Sequence, residues 1–225
     1  MKSFLWNGLA LLPERAVWRA DTKTLFVADV HIGKGAHFRS LGVPVPAGAT
    51  RENLARLDAL IDVYNPRELV VLGDLFHAPA AYREASLGEF AAWRARRAAL
   101  PLRLVAGNHD ARAGRAPVSL GLQWVEEPHV LDGLVCRHAP PDAPNAEGPL
   151  VLAGHLHPAA RLHGPGRDRL RLPCFLMRGR LLVLPAFGEF TGGAAVEADE
   201  DCALCVTAGE RLIHIPARNG RAARR

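Results

Sequence analysis

The sequence predicts an α/β fold of two packed β-sheets with helices on the outside, and three observations predict it. Strand-length apolar runs alternate with helical periodicity through the first half of the chain, while the second half holds mostly short strands between turn residues. The chain is also rich in breakers, with 21 glycines and 17 prolines among 225 residues and only 6% aromatics, which excludes long helical bundles and coiled coils. At 49% apolar and 23% charged residues the composition is that of a globular domain able to bury most of its surface.

Short strands open the chain at Phe4–Trp6, Leu9–Leu12 and Ala16–Arg19, and Thr24–Ala28 follows, apolar enough to be a central strand covered on both faces. Gly33–Gly48 reads as a loop, after which Thr50 caps a helix whose Leu54, Leu57, Leu60, Ile61 and Tyr64 recur at helical spacing until Pro66 stops it. Strand Glu68–Leu72, a helical stretch over Arg83–Ala99 and strand Leu102–Ala106 complete a βαβ pattern with parallel pairing. From Val118 onward the predicted strands are Leu134–Arg137, Leu150–Ala153, Leu170–Leu172, Cys174–Met177, Leu181–Leu184, Cys202–Thr207 and Leu212–Ile215. With no repeat and no linker before residue 216, we expect one domain over residues 1–215 and a basic, disordered tail over 216–225.

The net charge is +5, but Arg218, Arg221, Arg224 and Arg225 in the tail supply much of it, so the sum identifies no surface patch and no polyanionic partner. No run reaches the roughly 18 apolar residues of a membrane span, and no A-x-A cleavage site precedes Glu14. Four cysteines, Cys136, Cys174, Cys202 and Cys205, are too few to staple a chain of this size. These features lead to an expected cytoplasmic location with no membrane contact. The C-x-x-C of Cys202 and Cys205 lies in an alternating run and reads as buried strand, not as a zinc or redox site.

Chemistry is concentrated where strands end. Four apolar strands run into polar clusters: Asp29-Val-His31, Gly73-Asp74, Gly107-Asn108-His109-Asp110 and Gly154-His155-Leu156-His157. Ligands in α/β sheets bind at the carboxyl ends of strands. The i, i+2 spacing of Asp29 with His31 and of His155 with His157 sends both side chains of an extended pair to one face. Each glycine lets backbone come close to a ligand. Any one of these residues has an ordinary reading as a turn or a surface histidine, but unrelated turns have no reason to present this series after successive strands. Carboxylates, imidazoles and an Asn carbonyl suit Mn, Fe or Zn, and the lack of cysteine argues against a thiolate zinc site. His138 supplies a further imidazole and is preferred to His129, which follows Pro128.

The order D-x-H, G-D, G-N-H-D, H, G-H-x-H resembles the calcineurin-like metallophosphoesterase superfamily over Asp29 to His157. The resemblance implies a four-layer metallophosphoesterase sandwich, two mixed β-sheets flanked by helices, with a two-metal centre at the strand ends. It implies that Asp29, His31 and His157 bind one metal, that Asn108, His138 and His155 bind the other, and that Asp74 bridges them around a water or hydroxide nucleophile. His109 would contact the phosphate or the leaving oxygen, with Asp110 either orienting its imidazole or serving structure. The fourth motif departs from the usual His-Gly, reading Arg137-His138-Ala139-Pro140, which makes His138 the least secure ligand.

Asp29-Val-His-Ile-Gly-Lys34, Phe38-Arg39, Gly42-Val-Pro-Val-Pro-Ala-Gly48, Gly73-Asp-Leu-Phe-His77 and Leu184-Pro-Ala-Phe-Gly-Glu-Phe-Thr-Gly-Gly193 further resemble the bacterial ligase-associated DNA damage response endonuclease family. What this implies is a Mn2+-dependent phosphodiesterase acting on DNA or RNA, a homodimer, associated in function with an ATP-dependent DNA ligase, a helicase and an exonuclease. His77 would sit on the leaving-group side, Lys34 and Arg39 would grip phosphate, and Phe187–Gly193 would lie over the site. His37, His163 and His214 match no motif and read as structural. The alternatives are a phosphomonoesterase or nucleotide phosphatase of the same superfamily, a non-catalytic repair scaffold, and a nucleic-acid-binding module working through the arginine tail.

Overall fold

The computed structural model describes residues 2–45, 48–77, 84–142, 147–164, 169–189 and 191–218. The first sheet lays seven strands side by side in sequence order: β1 (Phe4–Trp6), β2 (Leu9–Leu12), β3 (Ala16–Arg19), β4 (Thr24–Val27), β5 (Glu68–Leu72), β6 (Leu102–Val105) and β7 (Leu122–Val125). Tight turns make β1 to β4 antiparallel, whereas crossovers make β4 to β7 parallel. The first crossover carries α1 (Lys34–Ser40) and α2 (Ala49–Tyr64), the second α3 (Glu84–Arg96) and the third α4 (Asn108–Ala113).

Period-two alternation decides how this sheet is covered. Leu25 and Val27 of β4, Leu69 and Val71 of β5, and Leu102 and Leu104 of β6 pack under Leu54, Leu57, Leu60 and Ile61 of α2 and Phe90 and Trp93 of α3. The residues between them, Phe26, Val70, Leu72 and Val105, face the second sheet. Burial on both sides is why these strands read as unbroken apolar runs.

The second sheet contains β8 (His129–Leu131), β9 (Leu134–Cys136), β10 (Leu150–Ala153), β11 (Ala159–His163), β12 (Arg169–Arg178), β13 (Leu181–Val183), β14 (Ala195–Val196), β15 (Cys202–Ala208) and β16 (Arg211–Ile215). Their order is β14-β11-β12-β13-β10-β9-β8, with β15 pairing β12 and β16 pairing β15. Strands β9, β10 and β13 are parallel, so this sheet also has a carboxyl edge. The two sheets close on Phe26, Val70, Phe175, Met177, Leu182 and Cys205. Both sheets mix parallel and antiparallel pairs, and the result is the predicted α/β sandwich, with the described helices all preceding β7.

Three local expectations are corrected. Thr50 is not the cap of α2, which begins after Gly48; its hydroxyl instead accepts the Gly33 N–H at 3.3 Å. Part of the expected Gly33–Gly48 loop is α1, opened by Gly33 at φ 82°. The expected strands Leu170–Leu172 and Cys174–Met177 are one strand, β12, running through Pro173. Proline is tolerated there because β12 exchanges partners at that point, pairing β11 up to Pro173 and β15 from Cys174. Strands β7, β8, β11 and β14 were not foreseen.

Cys202 and Cys205 lie in buried strand β15 as expected, and their odd spacing sends them to different clusters, Cys202 to the outer one and Cys205 between the sheets. Burial pushes the Cys205 thiol up to about 11, so it stays protonated. Of the predicted tail, Arg218 donates its backbone N–H to Asp199 O at 2.7 Å, and residues 219–225 lie outside the described residues. Among the described residues no helix is long and apolar enough to cross a membrane.

Candidate metal centre

The parallel strands of both sheets end toward the same place. Asp29, Asp74 and Asn108 follow β4, β5 and β6, and His138, His155 and His157 follow β9 and β10. Beyond their last paired residues the β4 and β5 chains stay tied, Asp29 N–H to Gly73 O at 3.1 Å and His31 N–H to Asp74 O at 2.9 Å. The segment after β13 joins them, with Phe187 N–H bonding Ala28 O and Gly188 N–H bonding Asp29 O.

The side chains converge, but not through extended geometry. Asp29, His31, Asp74, His155 and His157 have φ of 53°, 52°, 52°, 69° and 46°, all in the left-handed region that non-glycine residues rarely occupy. Each such residue costs on the order of 1–3 kcal/mol, and such strain concentrates at functional sites. The glycines make room for ligands from neighbouring strands. A Cβ on Gly73 would fall on the His138 ring, one on Gly107 on the Asp74 carboxylate and one on Gly154 on the Asp29 carboxylate.

Two clusters result, Asp29/His31/His157 and Asp74/His138/His155, each with its ligand atoms within 4.8 Å of one another. In the first, His157 Nε2 lies 3.3 Å from Asp29 Oδ1 and 3.3 Å from His31 Nε2. In the second, His138 Nε2 lies 2.9 Å from Asn108 Oδ1, 3.0 Å from His155 Nδ1 and 3.5 Å from Asp74 Oδ1. Asp29 is wholly buried and Asp74 nearly so.

The donor chemistry fits cations. His157 Nδ1–H is committed to Gly192 O at 3.1 Å and His138 Nδ1–H to Leu72 O at 3.2 Å, which leaves both Nε2 atoms as bare lone pairs aimed inward. Lone pairs therefore meet lone pairs and carboxylate oxygens, and buried Asp29 Oδ1 has no hydrogen-bond partner at all among the described residues. Burial lowers the pKa of His31 and of His155, keeping the imidazoles neutral and able to ligate, and burial raises that of Asp74. Divalent ions would satisfy this set where protons do not.

His109 stands beside the second cluster. Its backbone N–H donates to Asp74 Oδ1 at 2.9 Å, and its Nδ1–H donates to His77 O at 2.6 Å, leaving Nε2 3.9 Å from Asp74 Oδ2. The carbonyl of His77, not the Asp110 carboxylate, thus orients His109. Asp110 instead accepts the N–H groups of Phe76 at 2.9 Å and Gly107 at 3.1 Å, and burial pushes it up to about 6.

The His77 ring stacks on His109 at 4.7 Å and meets the rings of His31 and His37, both at 5.2 Å. Burial and the charge of Lys34 press its pKa down to about 3. Lys34 is half-buried; burial lowers its pKa while Asp29 and Asp74 oppose that shift. Arg39 is brought elsewhere, its guanidinium donating to Val45 O at 3.2 Å at the rim of a cavity between α1 and α2. His129 lies away from the centre, against Arg103 at 3.0 Å. Phe187 is fully buried beneath the Arg56 guanidinium, so it presents no face to a substrate, and Phe190 lies outside the described residues.

Two supports went unforeseen. The Glu127 carboxylate accepts the N–H groups of His138 at 2.7 Å and Ala139 at 3.1 Å, fixing the turn that the departed fourth motif leaves without its glycine. Glu189 pairs with Arg56 at 2.7 Å and Arg15 at 3.2 Å, holding the segment whose Gly192 carbonyl orients His157. No spacing signal marks either glutamate.

A model of the calcineurin-like phosphoesterase family matches residues 22–134. Pseudomonas putida nuclease MPE is similar along nearly the whole chain, with a TM-score of 0.80 and 39% identity over 95% of this chain and 98% of its own. The chain belongs to the calcineurin-like phosphoesterase family. It is a metal-dependent phosphoesterase, and its two donor clusters stand where both sheets end. Yfce, a phosphoesterase from E. coli, aligns with a TM-score of 0.37 and 17% identity over 83% of this chain and 88% of its own, a likeness that carries nothing further. No curated protein matches the sequence.

Proposed function

We propose that this phosphoesterase is a Mn2+-dependent phosphodiesterase that cuts nucleic acid, DNA first, in bacterial DNA repair. The observation that carries this reading is the pair of donor clusters meeting around Asp29 and Asp74, with the 39% identity to a nuclease giving the substrate class. Asp29, His31 and His157 would hold one ion, Asn108, His138 and His155 the other, and Asp74 would serve both. Two divalent ions, Mn2+ before Fe or Zn, would supply Lewis acidity, lowering the pKa of a water and drawing charge from phosphoryl oxygens.

The remaining chemistry belongs to the chain. His109 is fixed in one tautomer by its Nδ1 bond to the His77 carbonyl, so Nε2 is the atom that holds a phosphoryl oxygen or passes a proton to the leaving oxygen. Lys34, drawn by two carboxylates, adds positive charge for a phosphate. Residues 1–215 act as one domain, in the cytoplasm and as a homodimer, alongside a ligase, a helicase and an exonuclease; these last readings rest on the motif resemblance.

The test is hydrolysis of an aryl phosphodiester and its monoester by chelator-stripped protein with added Mn2+, Mg2+ or Zn2+, beside Asp74→Asn. Diester cleavage restored by Mn2+ and absent in the variant is the expected result. Preference for the monoester would replace the proposal with a phosphatase, and inactivity with two ions bound would replace it with a scaffold.

A further inference from the structure

Beside His157 lies a cavity of about 140 Å3 lined by His157, Ala159, Arg171, Pro173, Thr191 and Gly193. Its floor is one face of the β11–β12 hairpin, because Ala159 pairs with Pro173 in register. Two residues further out on that face, Arg161 pairs directly with Arg171, and Arg169 stands two residues beyond Arg171. Directly opposed like charges destabilise a strand pair. All three arginines are exposed, and among the described residues none makes an ion pair or a side-chain hydrogen bond.

The orientation of this face is set by the rest of β12. Phe175 and Met177, at even steps from Arg171, pack between the two sheets. The side of β12 that is apolar within the sandwich thus becomes cationic past Pro173, on the side of the candidate metal centre. On the opposite side of the hairpin, Leu162 and Leu172 pack into an apolar cluster with Cys174, so the hairpin is anchored by its leucines while the arginines make no side-chain hydrogen bond or ion pair among the described residues. Gly193 lets its segment of the cavity wall come close to the His157 carbonyl, on which a Cβ there would fall.

We propose that Arg161, Arg169 and Arg171 form a phosphate track for the nucleic-acid strand that flanks the scissile bond, entered through the cavity beside His157. The ligand is a phosphodiester chain, not a small phosphate, because successive positions on this face advance about 7 Å and only a polyanion meets several arginines together. The track rests on the nuclease reading and gives that site its grip on a polymer. Arginines spaced along a strand hold backbone without reading base sequence, so the track carries affinity and no sequence preference.

The test compares the metal-loaded protein with Arg161→Gln/Arg171→Gln and Arg161→Lys/Arg171→Lys. Anisotropy reports the affinity for a cleavage-resistant phosphorothioate single-stranded 12-mer across a salt series. Kinetics report KM for a cleavable 12-mer and for an aryl diester. Expected in the glutamine pair is a 12-mer KM raised at least ~10-fold relative to the aryl diester's, with a salt slope shallower by about 0.7 for each lost phosphate contact. The lysine pair should restore the slope. Unchanged slope and KM in the glutamine pair, or lysines that fail to restore them, would overturn the track and leave phosphodiester chemistry standing. A wild-type protein inactive on the aryl diester would instead overturn the function on which the track rests.

Discussion

The two donor clusters differ in how they are held. Every member of the Asp29/His31/His157 cluster sits in left-handed backbone, and its Asp29 Oδ1 is buried with no partner among the described residues. In the other cluster Asp74 and His155 share that backbone, but His138 and Asn108 do not, and His138 is fixed by Leu72 O through its ring and by Glu127 through its N–H. Both halves thus carry strain and ring-to-carbonyl hydrogen bonds, but the second is braced at His138 from two sides, while the first is strained at every ligand and keeps an unanswered carboxylate oxygen. The difference teaches that an ion in the first half would answer an unpaired buried carboxylate oxygen, and one in the second half would meet a ring already oriented by its neighbours.

The hardest way to break the comparison is Asp74→Asn, since Asp74 stands within reach of both halves. Turnover should fall by roughly 10³-fold or more, with the metal content, read by atomic absorption, dropping below two ions per chain. Retention of two ions would mean that Asp74 serves neither. Next in size, His109→Ala should lose on the order of 10²-fold or more in turnover while keeping both ions, and lose less on an aryl substrate whose leaving group needs no proton. Loss of metal in that variant would remove His109 from the role proposed for it at the leaving oxygen.

Gly73→Ala sharpens the contrast within the second half. At φ 78°, with its methyl directed onto the His138 ring, it should cost about 1–3 kcal/mol of stability and weaken the second ion selectively. A fully loaded variant with wild-type melting would show that the turn yields freely. The smallest effect is thermal: Mn2+ at 100 times its dissociation constant should stabilise the protein by about 2.7 kcal/mol. Asp29→Asn, which removes charge from the carboxylate whose Oδ1 has no partner among the described residues, should take away more of that gain than His155→Ala does. The reverse order in melting scans would cancel the distinction between the halves.

Much of this was legible in the sequence because it rests on local rules. Unbroken apolar runs marked β4, β5 and β6, and the strand-end order of Asp29, Asp74, Asn108, His138, His155 and His157 marked the carboxyl edge where the clusters stand. What escaped has a physical reason. The left-handed turns at Asp29 and His31 are imposed by pairing with Gly73 and Asp74, contacts more than forty residues away that no local spacing encodes. The commitment of His109 to the His77 carbonyl is a bond to backbone, which carries no residue type to read. Strand β11 was hidden because its Arg161 face is polar where a buried strand would be apolar, and β12 was split in two by a proline whose harmlessness depends on a change of partner.

The sequence-order layout of the first sheet also has a consequence for synthesis. Strands β1 to β7 can add one after another as the chain emerges, whereas β12 must await both β13 and β15 before its ladder is complete. Asp29, His31, Asp74 and Asn108 belong to the early sheet, but His138, His155 and His157 belong to the late one. A nascent chain therefore carries four of its seven donors in place, and the hydrolytic centre is complete only when the later sheet has brought the three histidines, with the polypeptide nearly whole.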